Sequence, residues 1–169
     1  GSDYRVALAP NVAGTLANAS IVPSIFEGGN SSTSGTVSMR FVMPTLPRTG
    51  NTSVRVSLNA QQYSPAPGLT FQTYAHPHVI RTSPSCGPVS GETDVVVSGR
   101  HFDVGTHYLC DFKPRLQNAT ALGEAQMACV APPDSAQLNT TVAYATRVEV
   151  TLNGQQYTTD GVQYTYHPV

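Results

Sequence analysis

VIRTSPSCGPVSGETDVVVSG, Val79 to Gly99, is the stretch from which the rest of the chain can be placed. Val79 and Ile80 open an apolar run, and Ser83, Pro84, Gly87, Pro88, Ser90 and Gly91 then supply turn chemistry. Proline pre-sets φ near −65° and glycine tolerates φ > 0, so this density of both fixes a sharp reversal. Val95, Val96 and Val97 follow, closed by Gly99, and β-branched residues suit a pleated, half-buried surface. The stretch predicts strand, tight turn, strand.

Outward from it, the chain is built of short alternating segments. Tyr4, Val6 and Leu8 alternate with Arg5 and Ala7; Val37, Met39 and Phe41 alternate with Ser38 and Arg40. Val54, Val56 and Leu58 are expected to face inward, with Arg55 and Ser57 facing out. Leu69 to Tyr74 gives one more strand before Ala75-His-Pro-His leads into the Val79 hairpin. Between Asn11 and Gly35 the periodicity is lost, which predicts a long mobile loop holding one short strand at Ile21–Phe26.

The two halves repeat one another. VRVSLNAQQY (Val54–Tyr63) matches VEVTLNGQQY (Val148–Tyr157), and each copy runs on into an aromatic strand ending near His-Pro. Tyr74 aligns with Tyr166 only across a gap. Further back, Val37–Pro47 lines up with Glu124–Asp134, and a one-residue shift sets Phe41 opposite Cys129. Tyr4-Arg-Val-Ala-Leu lines up with Tyr108-Leu-Cys-Asp-Phe, which sets Val6 opposite Cys110. The intervening loop is longer in the first copy by its Gly/Ser-rich insertion.

Composition narrows the function. Only 11% of the 169 residues are charged and the net charge is −1, against about 25% charged in an average soluble domain. The nine Lys and Arg residues are scattered, without the basic patch that phosphate neutralisation requires, so no nucleic-acid partner is expected. No apolar run is long enough to span a bilayer, so this segment itself is not expected to insert into a membrane. Five N-x-S/T acceptor sites, Asn18, Asn30, Asn51, Asn118 and Asn139, all read as lying in turn-like contexts. Together they predict N-linked glycans and an extracellular setting, and glycans would keep so weakly charged a chain soluble.

Catalytic and metal chemistry find little support. His76-Pro-His78 is the tightest histidine pair, but it sits in a Pro-spaced linker with no third ligand near in sequence. The acidic residues are spread singly, and no nucleophile elbow, phosphate loop or paired-carboxylate spacing occurs. No cofactor is expected. Tyr157, Tyr164 and Tyr166 would suit a sugar-stacking platform, but their strand periodicity favours packing in or beside a core.

The hairpin also carries a resemblance. It is similar to the opening of an IPT/TIG domain, the immunoglobulin-like module of plexins and related surface receptors, written I-x-P-x-x-G-P-x-x-G-G-T-x-V-x-I-x-G-x-x-F. Pro84, Gly87, Pro88, Gly91, Thr93, Val95, Val97, Gly99 and Phe102 fall on this pattern, and Glu92 stands where the family has a second glycine. The resemblance implies an all-β chain of two tandem immunoglobulin-like β-sandwiches, residues 1–77 and 78–169, carried over 1–77 only by the internal repeat. The first copy lacks its opening hairpin, because nothing before Tyr4 matches Val79–Phe102. An open sheet edge invites pairing, so either the chain is a piece of a longer protein or neighbouring copies supply the strands by β-addition.

The repeat places Cys110 and Cys129 where the first copy has Val6 and Phe41, two inward positions. A disulfide is expected between them, on the order of 3 kcal/mol; two buried free thiols are the alternative. The pairing resembles family practice, in which a cysteine ahead of the C-x-x-P segment bonds to an earlier strand. Cys86 is left without a partner in the sequence. Among the roles this family fills, the expectation is a non-catalytic spacer or protein-binding segment of a large extracellular or cell-surface glycoprotein. The alternative is an accessory module of a secreted carbohydrate-active enzyme.

Overall fold

The structure, a computed structural model, describes residues 3–10, 19–27, 38–46, 49–65 and 69–169. The chain divides into two compact units, the first ending at Tyr74 and the second running Ala75–Val169. The first unit holds β1 (Arg5–Pro10), β2 (Ser20–Glu27), β3 (Ser38–Phe41), β4 (Gly50–Ser57) and β5 (Leu69–Thr73). They form one antiparallel sheet in the order β3-β2-β1-β4-β5.

The second unit holds β6 (His78–Ser83), β7 (Cys86–Pro88), β8 (Thr93–Arg100), β9 (Leu109–Phe112), β10 (Arg115–Gly123), β11 (Gln126–Ala131), β12 (Tyr144–Thr151) and β13 (Val162–His167). Their order is β6-β8-β11-β10-β9-β12-β13-β7. Strand β10 serves two layers: Arg115–Asn118 pair with β9, and Ala119–Gly123 pair with β11. A sheet that changes layer midway folds back on itself, and the result is an immunoglobulin-like sandwich. Its core is Val79, Val89, Val95, Val97, Phe102, Phe112, Met127, Val148, Val150, Leu152, Tyr164 and Tyr166, all buried. Cys110 on β9 and Cys129 on β11 are bonded across the two layers, with Cα atoms 6.5 Å apart.

The Val79–Gly99 stretch is more than the hairpin expected of it. The segment read as a tight turn contains β7, which pairs in parallel with β13 through Cys86, Gly87 and Pro88. The Thr165 N–H donates to the Ser85 carbonyl at 2.9 Å, and the Val89 N–H donates to the His167 carbonyl at 2.8 Å. A Cβ at Gly87 would run into the Tyr164 hydroxyl, so this strand must approach bare. The reversal proper is Pro88–Gly91, where the Gly91 N–H donates to the Pro88 carbonyl at 3.0 Å. Gly91 and Glu92 take φ of +80° and +63°. The left-handed region favours glycine at both positions, and Glu92 occupies one of them at a conformational cost.

The repeat holds at the level of single hydrogen bonds. Val6 pairs with Val56 as Cys110 pairs with Val150. Ser24 pairs with Phe41 as Ala119 pairs with Cys129, and β2, like β10, changes partner midway. The Asn59 side-chain oxygen accepts from the Gln61 and Gln62 N–H groups, both at 3.0 Å. Asn153 does the same with Gln155 and Gln156, at 3.0 and 3.1 Å. Ala60 and Gly154, matching positions, both have positive φ, 59° and 71°. The strand position before this turn pins the returning loop with opposite charges in the two copies. The Arg55 Nε donates to the Ser64 carbonyl at 2.6 Å, whereas buried Glu149 accepts from the Thr158 hydroxyl at 2.6 Å. One alignment needs correction: Gly50 pairs with Thr73 as Tyr144 pairs with Tyr166, so Thr73, not Tyr74, stands opposite Tyr166.

The inward set expected on β4 is not buried. Val150, Leu152 and Tyr164 are exposed by 0%, 1% and 0%, while their counterparts Val56, Leu58 and Phe71 are exposed by 39%, 62% and 44%. Ser57, expected to face out, is buried instead, its hydroxyl held in the Asn59 turn. Periodicity sorts residues onto faces; burial also needs a second layer. Among the described residues of the first unit that face is covered over Val6, Leu8 and Thr52 and left open at Val56 and Leu58. Among the described residues the middle of the central strand β1 is enclosed, with Val6, Ala7, Leu8 and Ala9 all buried.

Candidate interaction surfaces

The residues singled out for chemistry serve mainly as fasteners. The ring centroids of His76 and His78 lie 5.4 Å apart, edge to face. His78 Nδ1 sits 3.1 Å from Asp160 Oδ1, and the Val79 N–H donates to Asp160 Oδ2 at 2.6 Å. Burial pushes the Asp160 carboxyl up, but the Val79 N–H and the His78 ring outweigh it and hold the group below its ordinary range. The cluster ties the start of β6 to the loop before β13. Among the described residues no three His, Cys, Asp or Glu side chains converge as a metal site would require.

A second fastener closes the loop between β11 and β12. Asp134 accepts from the Tyr144 hydroxyl at 2.6 Å, from Arg115 Nη2 at 2.7 Å and from the Ala136 N–H at 3.3 Å. The Tyr144 hydroxyl, with Arg115 behind it, holds the Asp134 carboxyl below its usual range against the opposing pull of burial. Burial and Asp134 together push the Tyr144 hydroxyl well up. Tyr144 stacks on Tyr166 with centroids 5.5 Å apart, and the Tyr166 hydroxyl donates to the Pro132 carbonyl at 2.8 Å. Tyr164 and Tyr166 are therefore core residues, while Tyr157 is half-buried beneath Lys113 Nζ, 5.8 Å from its ring centroid.

The acceptor asparagines are less uniform than their sequence context suggested. Asn139 is exposed in the turn after the short 3-10 helix Ser135–Gln137. Asn51 and Asn118 are exposed too, but they lie within strands β4 and β10 rather than in turns. The N-x-S/T pattern is local and carries no information about strand pairing. Asn18 and Asn30, and most of the expected loop between Asn11 and Gly35, lie outside the described residues. Cys86 is free and exposed on β7.

What remains for recognition is edges and apolar surface. In the second unit the edge strands are managed: β7 has three residues, and β6 carries a bulge between Val79 and Arg81 that breaks its register. Exposed Ile80 and Leu122 flank an open groove of about 520 Å³ beside β6 and the β10–β11 turn. The first unit ends its sheet on β3 and β5 and shows the Val56, Leu58, Leu69 and Phe71 side chains to solvent. Single exposed apolar residues are ordinary; four together on β4, β5 and the bend after β4 form a patch that suits a protein contact.

No curated protein matches the chain. Solved structures do: one of the plexin A4 full extracellular region, domains 1 to 10, aligns with TM-score 0.60 and 18% identity over 99% of this chain. Another, with domains 1 to 8, aligns with TM-score 0.51 and 13% identity over 86% of it. The chain spans 14% of the length of each. At such identities the likeness speaks for the fold alone. The IPT/TIG family model matches residues 77–166, from the residue before β6 to the core tyrosine Tyr166 on β13, and by that match over half its length the chain belongs to the IPT/TIG domain family.

Proposed function

We propose that the chain is a non-catalytic segment of a large extracellular or cell-surface glycoprotein, acting as a spacer and as a protein-binding surface. The observation that carries the reading is the buried Cys110–Cys129 bond joining the two layers of the second unit. Such bonds persist in oxidising compartments and are rare in the cytosol. The fold likeness to plexin A4 extracellular regions and the exposed Asn51, Asn118 and Asn139 point the same way. Recognition would run through sheet edges and apolar faces, with glycans shielding the rest. Peptide mass spectrometry of native, unreduced protein tests it. A linked Cys110–Cys129 peptide and glycosylated acceptor asparagines are expected. Free thiols at both cysteines with unmodified asparagines would overturn the extracellular setting.

A further inference from the structure

We infer that an N-linked glycan on Asn118 lies along the outer face of β10 and fills the groove between Leu122 and Ile80. Such a glycan presupposes the extracellular reading above, because asparagine acquires it only in the secretory pathway. Strand β10 alternates. Gln117 and Ala119 stand opposite Cys110 and Cys129 and share their inner face. Leu116, Asn118, Thr120 and Leu122 make the outer row, and all four are exposed. The acceptor and the threonine of the Asn118-Ala119-Thr120 triplet thus point the same way, between two exposed leucines. No side-chain hydrogen bond among the described residues engages Asn118.

The groove supplies what a sugar chain needs. A rise of about 3.3 Å per residue puts Leu122 roughly 13 Å from Asn118, within the span of a short oligosaccharide. There a bulge between Ala121 and Gly123 breaks the register with β11, and the groove, about 520 Å³, opens from Leu122 towards Ile80. It crosses the row Gln126–Ser98–Arg81, which strand pairing lays side by side on β11, β8 and β6. Exposed Ile80 and Leu122 offer apolar surface to the C–H faces of sugar rings and to the methyl of an N-acetyl group. Arg81, Glu124 and Gln126 line the same groove with no side-chain hydrogen bond among the described residues, so they are available to hydroxyl and amide groups. Apolar surface with a few polar groups is the usual make-up of a small-molecule site. The way there is uncharged: Thr120 lies beside Ala128, and Ala128 beside Val96. Asn51 has no counterpart to this row, since Ser53 is next on its face of β4 and Gln72 lies across from it.

The test compares the full chain, secreted from cultured animal cells with its glycans, with Asn118→Gln and Thr120→Ala, each of which removes the acceptor. Peptide mass spectrometry should find sugar on Asn118, and NMR should show nuclear Overhauser contacts from that sugar to the Leu122 and Ile80 methyls. Amide exchange over 122–126 should be slower than in either variant by about threefold or more. Ile80→Asp with Leu122→Asp should keep the sugar and lose that protection. A glycan on Asn118 without those contacts, and with exchange equal to the variants, overturns the inference and leaves the groove open to a protein. Unmodified Asn118 overturns it too. A linked Cys110–Cys129 peptide in the same digest then keeps the extracellular reading standing, whereas free thiols with all acceptors bare sink both.

Discussion

Two copies of one strand plan lie in this chain, and the same residue types meet different fates in them. Val150, Leu152 and Tyr164 are buried, while Val56, Leu58 and Phe71, at matching places, are not. The turns are built alike in both, and the returning loop is pinned from the same place by opposite charges. Asn59 and Asn153 fold identical turns, and Arg55 and Glu149 pin the same returning loop from the same strand position. Local bonds therefore specify turn and register whether or not Val56 and its neighbours are buried. What the second layer adds is removal of apolar surface from water, the larger source of stability.

The largest effect to expect is at that contrast. Tyr164→Ala should destabilise the second unit by about 3–5 kcal/mol, whereas Phe71→Ala should cost the first unit about 1 kcal/mol or less. Two units need not unfold as one, so the free energies are best read locally, by native-state hydrogen exchange on β12 and β4. Similar costs at both positions would break the comparison. Next comes the layer-to-layer bond. Replacing Cys110 and Cys129 by alanine should lower the stability of the second unit by about 3 kcal/mol and leave exchange in β1 and β4 unchanged.

A smaller effect should be symmetric. Asn59→Ala and Asn153→Ala each remove the one oxygen that accepts from two turn N–H groups and should each cost about 1 kcal/mol. Matched values would sharpen the view that turns are set locally in both copies. The smallest effect is acid sensitivity confined to one unit. Asp134 and Asp160 both sit below the ordinary 3.8 in the folded state. A depressed carboxyl contributes stability above its unfolded pKa and loses it as pH falls through the folded value. The fasteners of the second unit should thus loosen below about pH 4, and Asp134→Asn with Asp160→Asn should flatten that slope in an acid titration followed by circular dichroism.

Much of the fold was legible because it rests on short-range patterns. The valines around Val54 and Val148 and the Asn-x-Gln-Gln turns gave the repeat, and the repeat gave the correspondence of Val6 with Cys110 and of Phe41 with Cys129. Strand β7 was hidden: Cys86-Gly87-Pro88 looks like turn chemistry and becomes strand only by pairing with β13, far along the chain. The same limit hid the role of Val89, a buried core residue inside a supposed turn. Asn51 and Asn118 were misplaced in turns for a related reason. Alternation grouped Val54, Val56 and Leu58 on one face, but whether that face is covered depends on another layer, which a single strand cannot encode.

Hydrogen exchange on the intact chain, comparing the amides of β4 with those of β12, tests most directly whether the two units are one sandwich in an open and a closed form. Faster exchange by about a hundredfold or more across Thr52–Val56 than across Thr146–Val150 is expected, because Val56 is exposed where Val150 is fully buried. Equal protection in the two strands would contradict the account.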